Sequence, residues 1–539
     1  MRRILAVLCL LFPLGAQGAS TLMVGSGQTY ETIAAAYAAA SAGDTIQIND
    51  AGPYVEDLTI GKANLTITAT TEQEPVIQGE FSVQAGGTGL TVSDLSFDGR
   101  GLDDNGIKVN GAPDNITVDG CAFEGYRWHA VEVVSDDFKA GDGTYGDNIT
   151  VRDCDVTDCG KGFSLAGDTL LITGNEVDGM TRRAASGDND YCRIFGNGVT
   201  VTGNTFHNAD VAALAADGSH VDCLQTYHYN GEYLKGTVLI EGNWFADCHQ
   251  IIQANGEEDN SSHTGFTFAN NVCLNFESWG VNAHHQTNVL IYNNTFFDPY
   301  GSPAIGAREG TAVVAKNNAL IYSWSVIDPG GSLTTDYNAV YASNADPTDD
   351  NFTGANDITL TPVQLAAAFT DGANDDWTLA ADSVLIDVGA NVGLVADYAD
   401  NARPTGAGYD IGAYEFQPEG GATNTMPTVA VSASATILAL PAQDSTVVTC
   451  TATDDGEPDP PGALTYAWTA TGPAAVTFAD DSATTTTATF TVGGSYHLTC
   501  TVSDGELEGS DEVTVALSHP PTSGIRVRLM RMLKMFRML

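Results

Sequence analysis

Residues 217–227, DGSHVDCLQTY, crowd several proton-handling and hydrogen-bonding groups into one short run. His220 can take a proton, and Asp222 can orient that imidazole or ligate a metal. Gln225 can bond a carboxylate or a hydroxyl, and Tyr227 can return a proton to a departing oxygen. Two later stretches repeat the mixture: HQIIQAN contains His249 and Gln253, and WGVNAHH contains Asn282, His284 and His285. Gln225 precedes Asn243 by 18 residues, and Gln253 precedes Asn271 by the same interval. If those asparagines mark equivalent points of a repeat, Gln225, Gln253 and Asn282 form a column flanked by histidines. Arg182, Arg183 and Arg193 are nearly the only basic cluster in this part of the chain, and they are candidates for holding an anion. Together these groups could neutralise a uronate carboxylate, remove the proton beside it and protonate the leaving glycosidic oxygen.

Such a column requires a stacked scaffold, and the chain carries the signature of one. ITVDGC and ITVRDC end at Cys121 and Cys154; LITGN, VTVTGN, VLIEGN, FTFANN, LIYNN and VAKNN end at Asn175, Asn204, Asn243, Asn271, Asn294 and Asn318. A β-branched strand followed by a turn, repeated at intervals of 21 to 39 residues, reads as a solenoid. Parallel stacking pairs each strand with the coils above and below, and an asparagine at the same bend can bond the asparagine of the next coil. The expected fold is all-β, a right-handed parallel β-helix of about ten coils once LTITAT and LTVSDL, ending at Thr70 and Leu95, are included. Residues 30–41, YETIAAAYAAAS, predict a one-sided helix that covers the first coil. The longer intervals carry insertions, which on a solenoid wall a groove, here beside the middle coils.

Strand alternation puts Gln225 and Tyr227 on one face and Asp222 with Leu224 on the other, unless a bend near Cys223 re-aims Asp222. The H-x-D-x-x-Q run resembles the H-x-D-G-I-Q strand of pectate-lyase-like parallel β-helix proteins, with Cys223 and Leu224 in place of Gly and Ile. That resemblance implies a carbohydrate-active protein. The residues favour a polysaccharide lyase with His220 as base, Asp222 as its partner and Tyr227 as acid. Gln225, Gln253, Asn282, His249, His284, His285 and the three arginines would bind substrate. Hydrolases of the polygalacturonase type need neighbouring carboxylates, and Asp103-Asp104 is the only such doublet on an early coil. GPYVE at 52–56 resembles a first strand of pectin methylesterases, without the Gln and Asp strands that those enzymes use. The rival from another class is a non-catalytic surface adhesin or glycan-binding rod.

A formal charge of −47, from 68 acidic residues against 21 Lys and Arg, argues against nucleic acid as a partner. An acidic polysaccharide would find no long-range attraction either, so its site needs a local basic cluster or divalent cations such as Ca2+. No segment has the EF-hand spacing, and no CxxC pair suggests zinc. Residues 1–19 read as a secretory signal: Arg2 and Arg3, an apolar run from Ile4 to Leu14, then small residues. The mature chain is expected to be monomeric and secreted or attached to the cell surface.

Residues 20–322 are assigned to the β-helix. Residues 323–417 form a closing segment in which DIGAYE, Asp410 to Glu415, and SVLIDVG resemble the choice-of-anchor Q domain that ends many exported β-helix proteins. Residues 418–427 have linker composition. Residues 428–518 alternate in short strands and resemble a PKD-type, immunoglobulin-like sandwich, which implies a Cys450–Cys500 disulfide under Trp468. Residues 519–539 are a basic, apolar tail that could lie on a membrane surface.

Overall fold

The structure, a computed structural model, describes residues 19–70, 73–100, 102, 105–133, 146–181, 188–215, 219–228, 234–256, 264–341, 351–417, 425–455 and 464–518. Arg182 and Arg183, the tail and all but the last residue of the signal segment lie outside these. The described residues form two compact units, divided at Phe416 and Gln417.

The first unit is a right-handed parallel β-helix whose strands stack as three faces. Face A runs from Thr21–Val24 through Thr45–Ile48 to Ser332–Asp336, with partners in register, as in Ile116 opposite Ile149 and Val118 opposite Val151. Face B runs from Val76–Ile77 to Ile358–Thr359. Face C runs from Leu58–Ile60 to Trp324–Ile327 and has eleven strands among the described residues. The parallel strands therefore pass the expected boundary at Tyr322. Valine, isoleucine and phenylalanine fill the interior, where Phe206, Phe245, Phe268 and Phe296 stack coil upon coil at 5.5 to 6.3 Å. The N-terminal helix spans only Ile33–Ala39, capped by the Thr32 hydroxyl, and buries Ile33 and Ala36 in the core of the first strands.

The corner between faces A and B explains the repeat. Each ladder asparagine follows a residue in the left-handed region: Gly174, Gly203 and Gly242 near φ +65°, then Asn270, Asn293 and Asn317 near +54°. Glycine and asparagine tolerate that conformation best, hence the G-N and N-N pairs. The buried amide of each coil donates to the Oδ1 of the next, from Asn175 to Asn204 (2.8 Å), Asn243 (2.9 Å), Asn271 (3.0 Å), Asn294 (3.1 Å) and Asn318 (2.9 Å). It continues to Asn338 and ends on the Asp357 carboxylate. Above Asn175 the column is made by Cys154 and Cys121, two buried free thiols.

Residues 360–416 lie against the outside of face B. Ala246, Val272, Leu274, Ala319 and Ile321, which point away from the rod's interior, share a second apolar core with Leu360, Phe369, Trp377, Leu385 and Ile411. A fully buried Arg403–Glu415 pair at 2.8 Å ties this segment together. Asn293 and Asn317 donate to the carbonyls of Asp410 and Ala390 and fasten it to the coils.

In the second unit two four-stranded sheets share a core of Val448, Cys450, Trp468, Tyr496, Leu498 and Cys500. The expected Cys450–Cys500 disulfide is not formed. Both residues are buried free thiols in contact, and burial, reinforced by the neighbouring sulfur, pushes the Cys500 thiol up to about 12. Burial favours the protonated Cys500 thiol, whereas a bridge would require oxidation of both sulfurs.

Candidate functional site

Six successive coils enter face C with the same four-residue bend: HAVE 129–132, KGFS 161–164, DYCR 190–193, DCLQ 222–225, QIIQ 250–253 and WGVN 279–282. In every one the two central residues are buried, for instance Tyr191 with Cys192, Cys223 with Leu224, and Ile251 with Ile252. Two consecutive inward residues break strict alternation, so the first and fourth side chains emerge on the same outer side. Asp222 is thereby turned toward Gln225, whose Nε2 donates to its Oδ2 at 3.0 Å.

Register stacks these bends into two columns. Glu132, Ser164, Arg193, Gln225, Gln253 and Asn282 are consecutive partners along one. His129, Lys161, Asp190, Asp222, Gln250 and Trp279 follow along the other: His129 is opposite Lys161, Asp222 is opposite Gln250, and Gln250 is opposite Trp279. At about 4.8 Å per coil the strip extends roughly 24 Å. Asn282 Nδ2 bridges Gln250 Oε1 at 3.0 Å and Gln253 Oε1 at 2.6 Å, locking the amides in place. Tyr227 lies next to Arg193, whose guanidinium carbon is 5.8 Å from the ring centroid, and packs edge-on against Phe195.

Both signs of charge occur along the first four levels of the strip. Arg193 grips the fully buried Asp190 through Nε at 2.6 Å and Nη2 at 2.5 Å. Its Nη1 has no hydrogen-bond partner among the described residues. Asp190 Oδ1 accepts from the Asp222 backbone N–H at 3.2 Å, which brings two carboxyl groups together across adjacent coils. Burial, then the neighbouring Asp190 charge, holds the Asp222 carboxyl well above the usual carboxylate range, and its Oδ1 is buried without a partner. Burial thus favours the protonated form of Asp222, beside an Asp190 whose carboxyl burial raises and Arg193 lowers.

The expected His220–Asp222 dyad is not formed. His220 precedes the bend and its ring faces His249 at 5.7 Å, while no hydrogen bond or ion pair joins it to Asp222 among the described residues. Once the bend turns Asp222 to Gln225, that carboxylate cannot orient His220. His249 Nδ1 accepts from the Val221 backbone N–H at 3.0 Å, a structural task, and burial lowers its pKa. His284 follows Asn255 at the far edge of face C, and burial, then the nearby Arg308, lowers its pKa. His285, at φ +50°, belongs to the following turn and approaches Glu309 at 3.9 Å. Among the described residues no three His, Cys, Asp or Glu side chains cluster to hold a metal, so the calcium expectation finds no such ligand set there.

Sequence reasoning missed His129, Lys161, Asp190, Gln250 and Trp279. Spacing to the ladder concealed them: Arg193 precedes Asn204 by 11 residues where Gln225 precedes Asn243 by 18, because the later coils carry extra residues between faces C and A. The recurring polar–apolar–apolar–polar tetrad was the available signal.

Fold and strip together define a right-handed parallel β-helix with a polar, mixed-charge strip along one face. No protein family and no curated protein matches the chain. Among solved structures, the mannuronan C-5 epimerase AlgE6 A-module of Azotobacter vinelandii is 13% identical, with 61% of this chain and 93% of that one covered and a TM-score of 0.39. The alginate lyase of Paenibacillus sp. str. FPU-7 is 13% identical over 59% and 99%, with a TM-score of 0.31. PfbA, a surface adhesin of Streptococcus pneumoniae, is 12% identical over 57% and 85%, with a TM-score of 0.33. Such values leave the chemistry to this chain's own side chains.

Proposed function

We propose that the protein is an exported, carbohydrate-active β-helix that cleaves a uronate-containing polysaccharide by β-elimination along face C. The observation that carries this reading is the column in which Arg193 is continuous with Gln225, Gln253 and Asn282. A cation with an unused donor meets a run of amides, which suits a chain of carboxylates and hydroxyls. Arg193 Nη1 and the Asp222 carboxyl, which burial biases toward its protonated form, bond the substrate carboxylate, so its charge no longer resists formation of a carbanion beside it. Gln225, Gln253 and Asn282 hold neighbouring sugars. Tyr227, held against the Arg193 cation, protonates the leaving oxygen. The leader-like residues 1–19 support export.

The pairing of Asp190 with Asp222 favours a second reading, hydrolysis by a neutral acid and an ionised carboxylate. One experiment separates the two. The purified protein is incubated with pectate, alginate and glycosaminoglycans while the ultraviolet absorbance of an unsaturated uronate and the release of reducing ends are both followed. Elimination raises both signals. Reducing ends without absorbance would replace the lyase with a hydrolase, and binding without either would make the rod an adhesin.

A further inference from the structure

The strip contains a lysine that the roles above leave unused. Lys161 opens the second of the six bends, one coil before Asp190 and Arg193, and is only 6% exposed. A lysine that deep normally pays for its burial with an ion pair. Lys161 has none within reach among the described residues, and no hydrogen bond holds its ammonium; its Nζ lies 5.8 Å from the Trp128 ring centroid. The groups around it are His129 on the preceding coil, Glu132 across the strip, and Asp188, Asp190 and Arg193 on the following coil. The carboxylates have other partners. Asp190 is held by Arg193, and Glu132 by Lys108 at 3.2 Å. His129 accepts no charge from Lys161 either. Asn105 Oδ1 lies 3.0 Å from its Nδ1 and can only accept, so Nδ1 carries a proton; burial, then the nearby Lys161 charge, disfavours a second proton on the ring.

We propose that Lys161 is the catalytic base of this strip, taking the proton beside the uronate carboxylate that Arg193 and Asp222 bind. This assignment rests on the lyase reading. The Nζ lone pair takes the C5 proton, and the C5–H electrons form the C4=C5 double bond. The C4–O4 bond breaks, and O4 takes the Tyr227 hydroxyl proton. Lys161 then returns its proton to solvent and Tyr227 regains one, so the enzyme is restored and no co-reactant is consumed. Placement agrees with the order of events: base, carboxylate clamp and acid lie on three consecutive coils, from Lys161 to Arg193 to Tyr227. Burial, with Arg193 adding to it, lowers the Lys161 pKa, so the free amine becomes available at lower pH than for an exposed lysine.

The test follows unsaturated product from whichever uronate polymer the wild-type protein cleaves. Lys161→Ala is expected to lose about 10²- to 10⁴-fold in kcat with KM little changed. Added ethylamine should restore part of that rate in proportion to its unprotonated fraction, a response that a merely structural lysine would not give. Lys161→Arg retains the charge and much of the stem but not a usable base, and should be folded and equally slow. Near wild-type turnover in either variant, or a slow Lys161→Ala indifferent to amine, would overturn the assignment and leave the lyase reading standing. A wild-type protein that forms no unsaturated product from any uronate polymer would remove both.

Discussion

At Tyr227 and Asp222 the chemistry reduces to two proton positions. Tyr227 is the fifth residue past the DCLQ bend's first position and meets Arg193 by its ring face, so its hydroxyl can be lost without disturbing the packing against Phe195. Tyr227→Phe is therefore expected to lower kcat by about 10²- to 10⁴-fold while substrate affinity, measured by titration of an uncleaved oligosaccharide, holds. Asp222 yields a pH prediction. Its folded-state pKa lies above the unfolded value of about 3.8, so the folded protein binds the proton more tightly. Its contribution to stability then falls as pH rises above that unfolded value toward the folded one. Asp222→Asn should abolish that part of the slope in urea unfolding measured across the acid-to-neutral range. An unchanged slope would mean that Asp222 is ionised in the folded protein.

Among the elements, the A–B corner bears the stack. Asn243 accepts the backbone N–H of Asn204 at 3.0 Å and donates to Val201 O and to Asn271, so its side chain satisfies groups on the coils on both sides of it. Asn243→Ala orphans buried donors and acceptors at a cost of about 1–3 kcal/mol for each. The expected result is a lower midpoint of urea unfolding, with kcat little affected in the protein that remains folded. The ladder was legible because its geometry demands both a left-handed residue and an amide, which only G-N and N-N supply readily. The face C bend was not. Its central pairs, such as Tyr191-Cys192 and Ile251-Ile252, read as ordinary strand interior until burial shows both members pointing inward.

Across the whole chain, two compact units predict two separate transitions. Phe245 is stacked inside the coils, and Trp468 is packed among Tyr496, Leu498 and Cys500 in the second unit. In calorimetry, Phe245→Ala should lower only one transition and Trp468→Ala only the other, each by about 3–5 kcal/mol of stability. A shift of both by either variant would mean that the units unfold as one.

Periodic features of this protein were set by sequence alone: the coil, the asparagine corner, and the alignment of Gln225 with Gln253. They follow from local backbone preference repeated at near-constant spacing, which a one-dimensional reading can count. Tertiary structure alone decided which charges meet. Asp190 reaches Asp222, His220 turns to His249, and Lys161 is buried without a counter-ion, because each depends on a bend that reverses a side chain's direction and on inserted residues that shift the count between faces.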